Sequence, residues 1–530
     1  MGRSLLLVFL VACGNVQEEP VDAAPDVAVA GFTITATTPN PSVPIDGMNR
    51  IGLSITRTGA FTGDVTVEAM SPPSGLTVSS LTIPAADTTG AVRVGATTPL
   101  TIGGTVTIVL QATGDGVDPQ TVTITDAPLT GRPGSLDTSW GPGTGLARVS
   151  FGGDDNGAFQ ALDVINGSVV ATGTTVGGLG TTRATTMRLT SAGVADATWN
   201  GGAPIRTGFT GSSGETNFGI ATDEQNDGRS VIIGYHVDAT NDIDVIRYSL
   251  AGGAGGNDFG DGTGKSLVNL GGNEVVNDGL VLESNAIVAV GAKDSQLLVA
   301  RLTPLGLIDT TFNAPNGFVT TTLGTSSQAT DVTADTQDRL VVAGSFNAGT
   351  DSDVFIRRYT STGALDGAFG GNNGVIISGA DSETASGVAI VGDKILVASS
   401  AGTTLGRRIR VRRYATDGTL DTTFGTQGVA EYAPSNAGVT PLDLAVMPDG
   451  RILVLARDGG TALVIRFTPN GAIDMLFGTA NDGTATVNIG GSGRPECIEV
   501  YSEHLLLVGG GDEGGSPGPG TFGIVARMWM

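Results

Sequence analysis

The stretch Leu420–Gly425 reads LDTTFG, and close variants of it recur along most of the chain. The variants are LDTSWG from Leu136, ADATWN from Ala195, IDTTFN from Ile308, LDGAFG from Leu365 and IDMLFG from Ile473. The aromatic of each unit falls at Trp140, Trp199, Phe259, Phe312, Phe369, Phe424 and Phe477, at intervals of 59, 60, 53, 57, 55 and 53 residues. A repeat of this length indicates a propeller or a solenoid.

Each unit also carries a polar turn followed by a hydrophobic run, such as DRLVVAG from Asp338 and GRILVLA from Gly450. Four strand-sized runs fit into each unit, which is the content of one propeller blade. A parallel β-helix is the alternative, but it would normally need a shorter rung. The repeats therefore predict a seven-bladed β-propeller over residues 131–530 in an all-β chain.

The repeated motif contains an acid three residues before the aromatic, and an arginine closes the last strand-sized run of each unit. The acids are Asp137, Asp196, Asp309, Asp366, Asp421 and Asp474, and the arginines are Arg188, Arg247, Arg301, Arg358, Arg413, Arg466 and Arg527. The third unit departs, with Gly256 at the acid position and Asp258 directly before its aromatic.

A catalytic carboxylate needs a unique partner and cleft, whereas these copies would occupy equivalent places around a ring. We therefore predict a structural joint in which each acid fixes a turn and pairs with an arginine, as in Arg413 with Asp421. At the ends of the ring, the same logic predicts that the Arg527 strand packs beside the segment from Leu136 to Trp140.

The combination DGRIxVxG, RY and DGxLDTTFG resembles the delta-60 repeat family of bacterial surface and secreted proteins. The best matches are Asp417–Gly425 and Asp449–Val454. The resemblance implies β-propeller architecture, and it carries no common activity.

The N-terminus resembles a bacterial lipoprotein signal peptide. Arg3 precedes the apolar run Leu5–Val11, and Leu10-Val11-Ala12-Cys13 matches a lipobox. The resemblance implies a signal peptide over residues 1–12 and a lipidated Cys13 that anchors the chain to a membrane. Gly14 at the next position favours the outer membrane or cell surface. An ordinary leader is the alternative.

Residues 13–30 have the composition of a tether, and residues 31–130 alternate like the strands of a small β-sandwich. The sandwich resembles the Ig-like domains of bacterial surface proteins, although it lacks a cysteine pair. The only cysteine other than Cys13 is Cys497, so neither an internal disulfide nor a zinc site of several cysteines and histidines is expected. The pattern predicts that Cys497 lies buried in a strand.

The formal net charge is −24, with no basic run, which disfavours nucleic-acid binding. We expect no cofactor; calcium is conceivable at the oxygen-rich segments around Asp154, Asp258 and Asp351, but none completes an EF-hand loop. His504 is expected in an exposed turn.

His236, with Asp238 and Asp242, forms a tentative binding loop after a strand. Loops between the third and fourth runs vary most, and variable loops on a constant scaffold favour recognition.

The leading functional interpretation is a surface-anchored lipoprotein that acts as a binding or structural scaffold, with a polysaccharide or another surface protein as partner. The alternative is an extracytoplasmic propeller enzyme of the glycosidase or lyase type that uses non-repeated carboxylates. Paired acids with raised pKa values across a central pocket would favour the enzyme, and a uniformly acidic pocket would favour binding.

Overall fold

The computed structural model describes thirteen stretches of the chain. They are residues 30–38, 41–151, 156–177, 181–209, 216–253, 258–349, 351–371, 374–378, 381–402, 406–436, 438–489, 493–512 and 522–530. Cys13 and the tether lie outside the described residues, as does Asp154.

The first part of the chain forms two sheets around one core. Its strands are β1 (Gly31–Ala36), β2 (Val43–Pro44), β3 (Asn49–Thr58), β4 (Val65–Ala69), β5 (Leu76–Val78), β6 (Leu81–Ile83), β7 (Thr89–Ala96), β8 (Thr105–Gly114) and β9 (Val117–Thr130). One sheet has the order β1-β3-β7-β5, and the other has the order β2-β9-β8-β4-β6. Alternate residues of β3, Ile51, Leu53 and Ile55, are buried in the shared core, as expected for strands with one solvated face.

The second part of the chain consists of four-stranded meanders. After β10 (Leu146–Ser150), the strands are β11 (Asn156–Ile165), β12 (Ser168–Val176), β13 (Thr182–Leu189), β14 (Ile205–Thr207), β15 (Thr216–Glu224), β16 (Ser230–Val237), β17 (Asn241–Arg247), β18 (Lys265–Val268), β19 (Glu274–Val281), β20 (Ile287–Lys293), β21 (Gln296–Leu302) and β22 (Phe318–Thr321). They continue with β23 (Ser327–Ala334), β24 (Leu340–Asn347), β25 (Ser352–Tyr359), β26 (Val375–Ile377), β27 (Glu383–Val391), β28 (Lys394–Ala401), β29 (Arg408–Ala415), β30 (Val429–Tyr432), β31 (Thr440–Val446), β32 (Ile452–Asp458), β33 (Thr461–Phe467), β34 (Thr484–Val487), β35 (Arg494–Ser502), β36 (Leu505–Asp512) and β37 (Phe522–Trp529).

Each meander is one blade, and its boundaries differ from those of the sequence repeat. In the order β23-β24-β25-β26, for example, the outer strand β26 follows the LDGAFG motif and so comes from the next repeat. The four runs counted between one aromatic and the next therefore do not form one sheet. The first run of each repeat forms the outer strand of the preceding blade, because the motif turns the chain onto the outer edge of that sheet.

The innermost strands of the blades form a closed circle. We call them the channel strands: β11, β15, β19, β23, β27, β31 and β35, and each contacts the next, with β35 contacting β11. The hydrophobic core lies between adjacent blades, as where Val231 and Val245 of one blade pack against Ile287 and Leu298 of the next. The arrangement is a β-propeller.

The ring closes by pairing the two ends of this part of the chain. Strand β10 lies antiparallel to β37, with Leu146 opposite Ala526. Leu136 forms an isolated bridge with Met528, so the segment that carries the first motif lies beside the Arg527 strand.

The sandwich packs on one face of the ring. Arg451 Nη2 donates to Asn49 Oδ1 at 3.0 Å, and Arg132 in the linker donates to Thr479 O at 2.8 Å. Arg451 lies in the polar turn between β31 and β32, at the end of the channel strands. The opposite face, where the channel strands begin, is the one that carries the variable loops. We call it the loop face.

We expect the closing ion pair to stabilise the ring more than an exposed pair does. In a double-mutant cycle on Arg527→Ala and Asp137→Ala, the coupling free energy should be about 1–3 kcal/mol, because both side chains are largely buried. Urea unfolding of the four proteins measures it.

The control is the more exposed pair Arg408 and Glu431, whose side chains are both 41% exposed and lie outside the seam, and the same cycle there should give less than about 0.5 kcal/mol. Equal coupling in the two cycles would contradict a stabilising role for the closing pair.

Candidate functional site

The repeated motif pairs an arginine with an acid in every unit. The arginine of one strand binds the acid of the following turn, with nitrogen to oxygen distances from 2.6 to 3.0 Å. The pairs are Arg188 with Asp196, Arg247 with Asp258, Arg301 with Asp309, Arg358 with Asp366, Arg413 with Asp421, Arg466 with Asp474 and Arg527 with Asp137. In the third unit the sequence has Gly256 at the acid position, and Asp258 binds the arginine instead.

Each joint also fixes its own turn. Asp421 Oδ1 accepts hydrogen bonds from the Thr423 backbone at 3.1 Å and from the Thr423 hydroxyl at 2.6 Å. The Thr423 hydroxyl, followed by its backbone N–H and by Arg413, lowers the pKa of Asp421 to about 2. A carboxyl group held this firmly in its ionised form is a poor proton donor at neutral pH.

The joint links one blade to the next. The guanidinium of Arg413 lies 4.7 Å from the Phe424 ring centroid, and its Nη1 donates to Pro469 O of the next blade at 2.9 Å. Gly425 N donates to Asn470 O at 2.8 Å. The next residue, Gly471, has a φ of +83°, and a side chain on it would collide with Phe424. The repeated acids and arginines are therefore a structural seam.

One joint differs from the rest. Arg466 is fully buried, and its guanidinium lies 4.5 Å from the Phe477 ring centroid. Its Nε lies 2.9 Å from Asp474 Oδ2, although without hydrogen-bond geometry. Burial, followed by the nearby Arg451, lowers the pKa of Arg466 to about 9. At this joint Gly478 N donates to Pro133 O of the linker, so the linker takes the place of the neighbouring blade's turn.

A second, unpredicted set of acids lines the central channel. The channel is a cavity of about 690 Å³ bounded by all of the channel strands. Asp278, Asp331, Asp443 and Glu499 line it, and its lining in the described residues contains no lysine, arginine or histidine. The lining also includes Glu496, which is paired with Arg457. Asp163 lies on the channel strand β11 and Asp223 on the channel strand β15. Both interact electrostatically with the acids of the lining.

These acids occupy two register positions of the channel strands. Asp278, Asp331 and Asp443 each follow directly on a bulge in the pairing with the second strand. Three others lie two residues farther along, namely Asp163, Asp223 and Glu499. Bulges re-aim side chains at such places, and here they bring the acids of separate blades together.

Several channel acids also join neighbouring blades through the backbone. Asp331 Oδ2 accepts from Val388 N of the next channel strand at 2.6 Å, and Asp278 Oδ2 accepts from Val332 N at 3.0 Å. Asp443 Oδ2 accepts from Ile498 N at 2.9 Å. One oxygen of each carboxyl group is thus fixed by a neighbouring strand.

The channel acids resist ionisation. Burial raises the pKa of Asp443 to about 7 and, together with Asp163 and Asp443, that of Glu499 to about 8. Burial raises the pKa of Asp278 to about 6, and burial with the charge of Asp278 holds that of Asp331 well above its ordinary value. These four residues are half-buried and line the channel. The channel therefore holds protons near neutral pH that a cation could displace.

The predicted binding loop is divided by the structure. His236 lies inside β16 and is buried, with Nδ1 2.8 Å from Asn217 Oδ1. Asp242 is buried on β17 opposite His236, whereas Asp238 is exposed in the turn between the strands. The prediction that His236 lies in a loop is wrong, because β16 runs farther than its hydrophobic run.

Other candidate residues have structural surroundings. Cys497 is buried in β35, and burial raises the pKa of its thiol. His504 lies in a turn and is partly buried rather than exposed, since it lines a small gap facing the sandwich residue Asn49. Among the described residues, His, Cys, Asp and Glu nowhere form a group of three or more suited to a metal ion. In the same residues, no helix has the length and apolarity needed to cross a bilayer.

Sequence reasoning found the seam and missed the channel. The channel acids do not recur at one fixed position of the repeat. They occupy two register positions of the channel strands, and β27 has an acid at neither. The available signal was an acid in most of the runs that precede the polar turn, as in ATDVTAD from Ala329.

Comparison with known proteins supports the propeller repeats. Residues 338–369, 393–424 and 448–477 match the family described as "Domain of unknown function (DUF5122) beta-propeller". No curated protein matches the chain in sequence.

Several solved structures are distantly similar to this one. A protein of unknown function from Dyadobacter fermentans is 11% identical, with a TM-score of 0.41, over 72% of this chain and 98% of that chain. Virginiamycin B lyase from Staphylococcus aureus is 11% identical, with a TM-score of 0.37 and the same coverage. Semaphorin 2a from Drosophila is 9% identical, with a TM-score of 0.39, over 75% and 76% of the two chains. These likenesses carry no argument about function.

We expect Glu499→Gln to stabilise the protein at alkaline pH. The folded-state pKa of Glu499 lies above its unfolded value, so the native state binds the extra proton and stability falls as the pH rises towards about 8. The variant should be more stable than the parent by about 2–4 kcal/mol at about pH 8 and equal to it at about pH 4, as measured by urea unfolding.

The control is Glu68→Gln, an exposed position of the sandwich, which should change stability at neither pH. A Glu499→Gln effect that is independent of pH would show that Glu499 does not carry the proton.

Proposed function

We propose that the chain is a lipid-anchored surface protein whose seven-bladed β-propeller binds a cationic ligand in its acidic channel. In this proposal residues 1–12 are a signal peptide, and Cys13 and the tether to residue 30 hold the chain on the outer membrane or cell surface. Residues 31–130 are an Ig-like spacer, and residues 131–530 are a propeller of delta-60-type repeats.

The observation that carries the binding proposal is the one-sided charge of the channel. Acids from β19, β23, β31 and β35 converge on a cavity of about 690 Å³ whose described lining has no basic side chain. Clefts lined by one sign of charge concentrate counter-ions, and partial burial strengthens the attraction. An organic cation with several charges fits better than a single metal ion, because no three acids of the described residues form a chelating group.

The finer architecture has its own support. The ring of channel strands passes through β11, β15, β19, β23, β27, β31 and β35, one strand for each of seven aromatic motifs. In the sandwich, the order β1-β3-β7-β5 corresponds to the A-B-E-D sheet of an immunoglobulin fold, and β9-β8-β4 corresponds to G-F-C. Strand β2 pairs in parallel with β9 beside this second sheet.

The position of the sandwich suits an anchored protein. It contacts the face that carries Arg451 and His504, so the loop face is turned away from the N-terminal part of the chain. A tether attached to the sandwich would therefore hold the mouth of the channel away from the membrane.

A glycosidase or lyase is the second candidate function, and the raised pKa values of Asp278 and Asp331 favour it. However, these two side chains are hydrogen-bonded to each other. Glycosidase carboxyl groups flank the scissile bond at a separation of at least about 5 Å. The proton shared by Asp278 and Asp331, and the distribution of the channel acids over several strands, favour a binding function over a glycosidase or lyase activity.

We expect spermine to bind in the channel and its affinity to rise with pH from about 5 to about 8. The amines of spermine stay charged over this range, whereas the channel acids lose their protons, so attraction grows as the pH increases. Isothermal titration calorimetry should show an affinity reduced about tenfold in the double variant Asp163→Asn/Glu499→Gln at the upper pH.

Asp115→Asn, on the exposed turn between β8 and β9, serves as the matched control and should leave the affinity unchanged. No spermine binding to the folded parent protein at any of these pH values would reject the channel as a cation site.

The anchor is tested separately in bacteria that process lipoproteins. Labelled palmitate should enter the wild-type chain and the Cys497→Ala variant, and it should not enter Cys13→Ala, because the acyl groups attach at Cys13. Label that persists in Cys13→Ala would reject lipidation at this residue.

A further inference from the structure

A polar cleft opens beside the acidic channel. It is a cavity of about 540 Å³ formed by strands of three successive blades, from β19 to β27. Its lining is rich in hydroxyl and amide side chains, with one aromatic ring: Asn273, Ser295, Ser326, Gln328, Phe346 and Asn347 are among the residues. These residues lie where the channel strands begin and at hairpin tips, so the cleft is part of the loop face.

The cleft adjoins the channel. Gln328, an exposed residue near the start of β23, lines both cavities. One wall of the cleft is the tight hairpin between β20 and β21, which is closed by only two residues, Asp294 and Ser295, both with positive φ. Phe346 of the next blade packs against the hydrophobic core and also lines the cleft.

The two cavities differ in chemistry. Hydroxyl and amide groups both donate and accept hydrogen bonds, which matches the hydroxyl groups of a sugar ring. The aromatic ring of Phe346 adds a flat apolar surface among these hydroxyl and amide groups. The channel supplies Asp331 on the same strand as Gln328 and Asp278 on the preceding channel strand, and carboxylates suit ammonium groups.

The channel wall also has unused hydrogen-bonding capacity. Thr222 and Ser386 are among the residues of the channel wall, and their buried hydroxyl groups have no hydrogen-bond partner in the described part of the chain. Buried polar groups without partners are uncommon in native structures, and a rotation of either side chain towards the channel would let a polar ligand satisfy it.

From this juxtaposition we propose that the ligand is an oligosaccharide of amino sugars, with sugar rings in the cleft and ammonium groups in the channel. The inference rests on the proposed function, since it takes the acidic channel as the cation site. It adds that sugar hydroxyl groups are recognised by the cleft that Gln328 connects to the channel.

The test compares three soluble probes by isothermal titration calorimetry on the intact chain at about pH 6, where most amino groups of a glucosamine oligomer are protonated. The first probe is a glucosamine tetramer, the second is its fully N-acetylated and therefore neutral counterpart, and the third is tetralysine. The glucosamine tetramer should bind at least about tenfold more tightly than either of the others, because only it engages both cavities.

Two variants test the cleft. Gln328→Ala and Phe346→Leu should each weaken the glucosamine tetramer several-fold. Phe346 lines the cleft and not the channel, so Phe346→Leu should leave spermine binding unchanged. Gln337→Ala, an exposed glutamine in the polar turn after β23, is the matched control and should change neither ligand. Circular dichroism checks that each variant is folded.

The outcomes distinguish this inference from the proposed function. If tetralysine and spermine bind as tightly as the glucosamine tetramer, and Gln328→Ala has no effect, the amino-sugar inference is overturned while the cation site stands. If the neutral tetramer binds as tightly as the charged one, the cleft binds sugars without the channel, which also overturns it. If no cationic probe binds, the proposed function fails as well.

Discussion

The fold depends on the contact between a strand-closing arginine and the acid of the following LDxxF turn. Arg413 illustrates it, since its guanidinium binds Asp421, covers Phe424 and donates to a carbonyl group of the next blade. Each part is modest by itself, because partly exposed ion pairs and single hydrogen bonds contribute about 1 kcal/mol each. Their repetition at every boundary between blades, including the boundary where Arg527 meets Asp137, holds the ring closed without a covalent bond.

The same contact explains how far the fold could be predicted from the sequence. The motif recurs every 53 to 60 residues because each blade needs one joint. The period, the arginine and acid pairs and the meeting of the chain ends could therefore be predicted from the sequence. The boundary of each blade could not. A repeat unit ends where the sequence pattern ends, whereas a blade ends where the hydrogen-bond ladder ends, and the two differ by one strand here.

The candidate site was much less predictable. Asp163 and Glu499 are 336 residues apart in number, yet closure brings their strands β11 and β35 into contact. Proximity of that kind depends on tertiary structure and leaves no local motif. His236 misled for the opposite reason: its acidic neighbours suggested a loop, whereas strand pairing with Asp242 continues past the hydrophobic run and buries it. The chain thus holds two populations of acids, those that pair with arginines in the seam and those that are buried around the channel. The seam stabilises the ring, and the ring buries the channel acids beside one another, which raises their pKa values.

The protonation of the channel tests this account most directly. Carbon NMR titration of chains labelled at the side-chain carboxyl groups of aspartate and glutamate would resolve the two populations. We predict that the channel carboxyl groups titrate between about pH 6 and 8, and that their titration moves to lower pH when spermine is added. If every carboxyl group titrated below about pH 5, the channel acids would be ordinary solvated carboxylates, and the central claim would be contradicted.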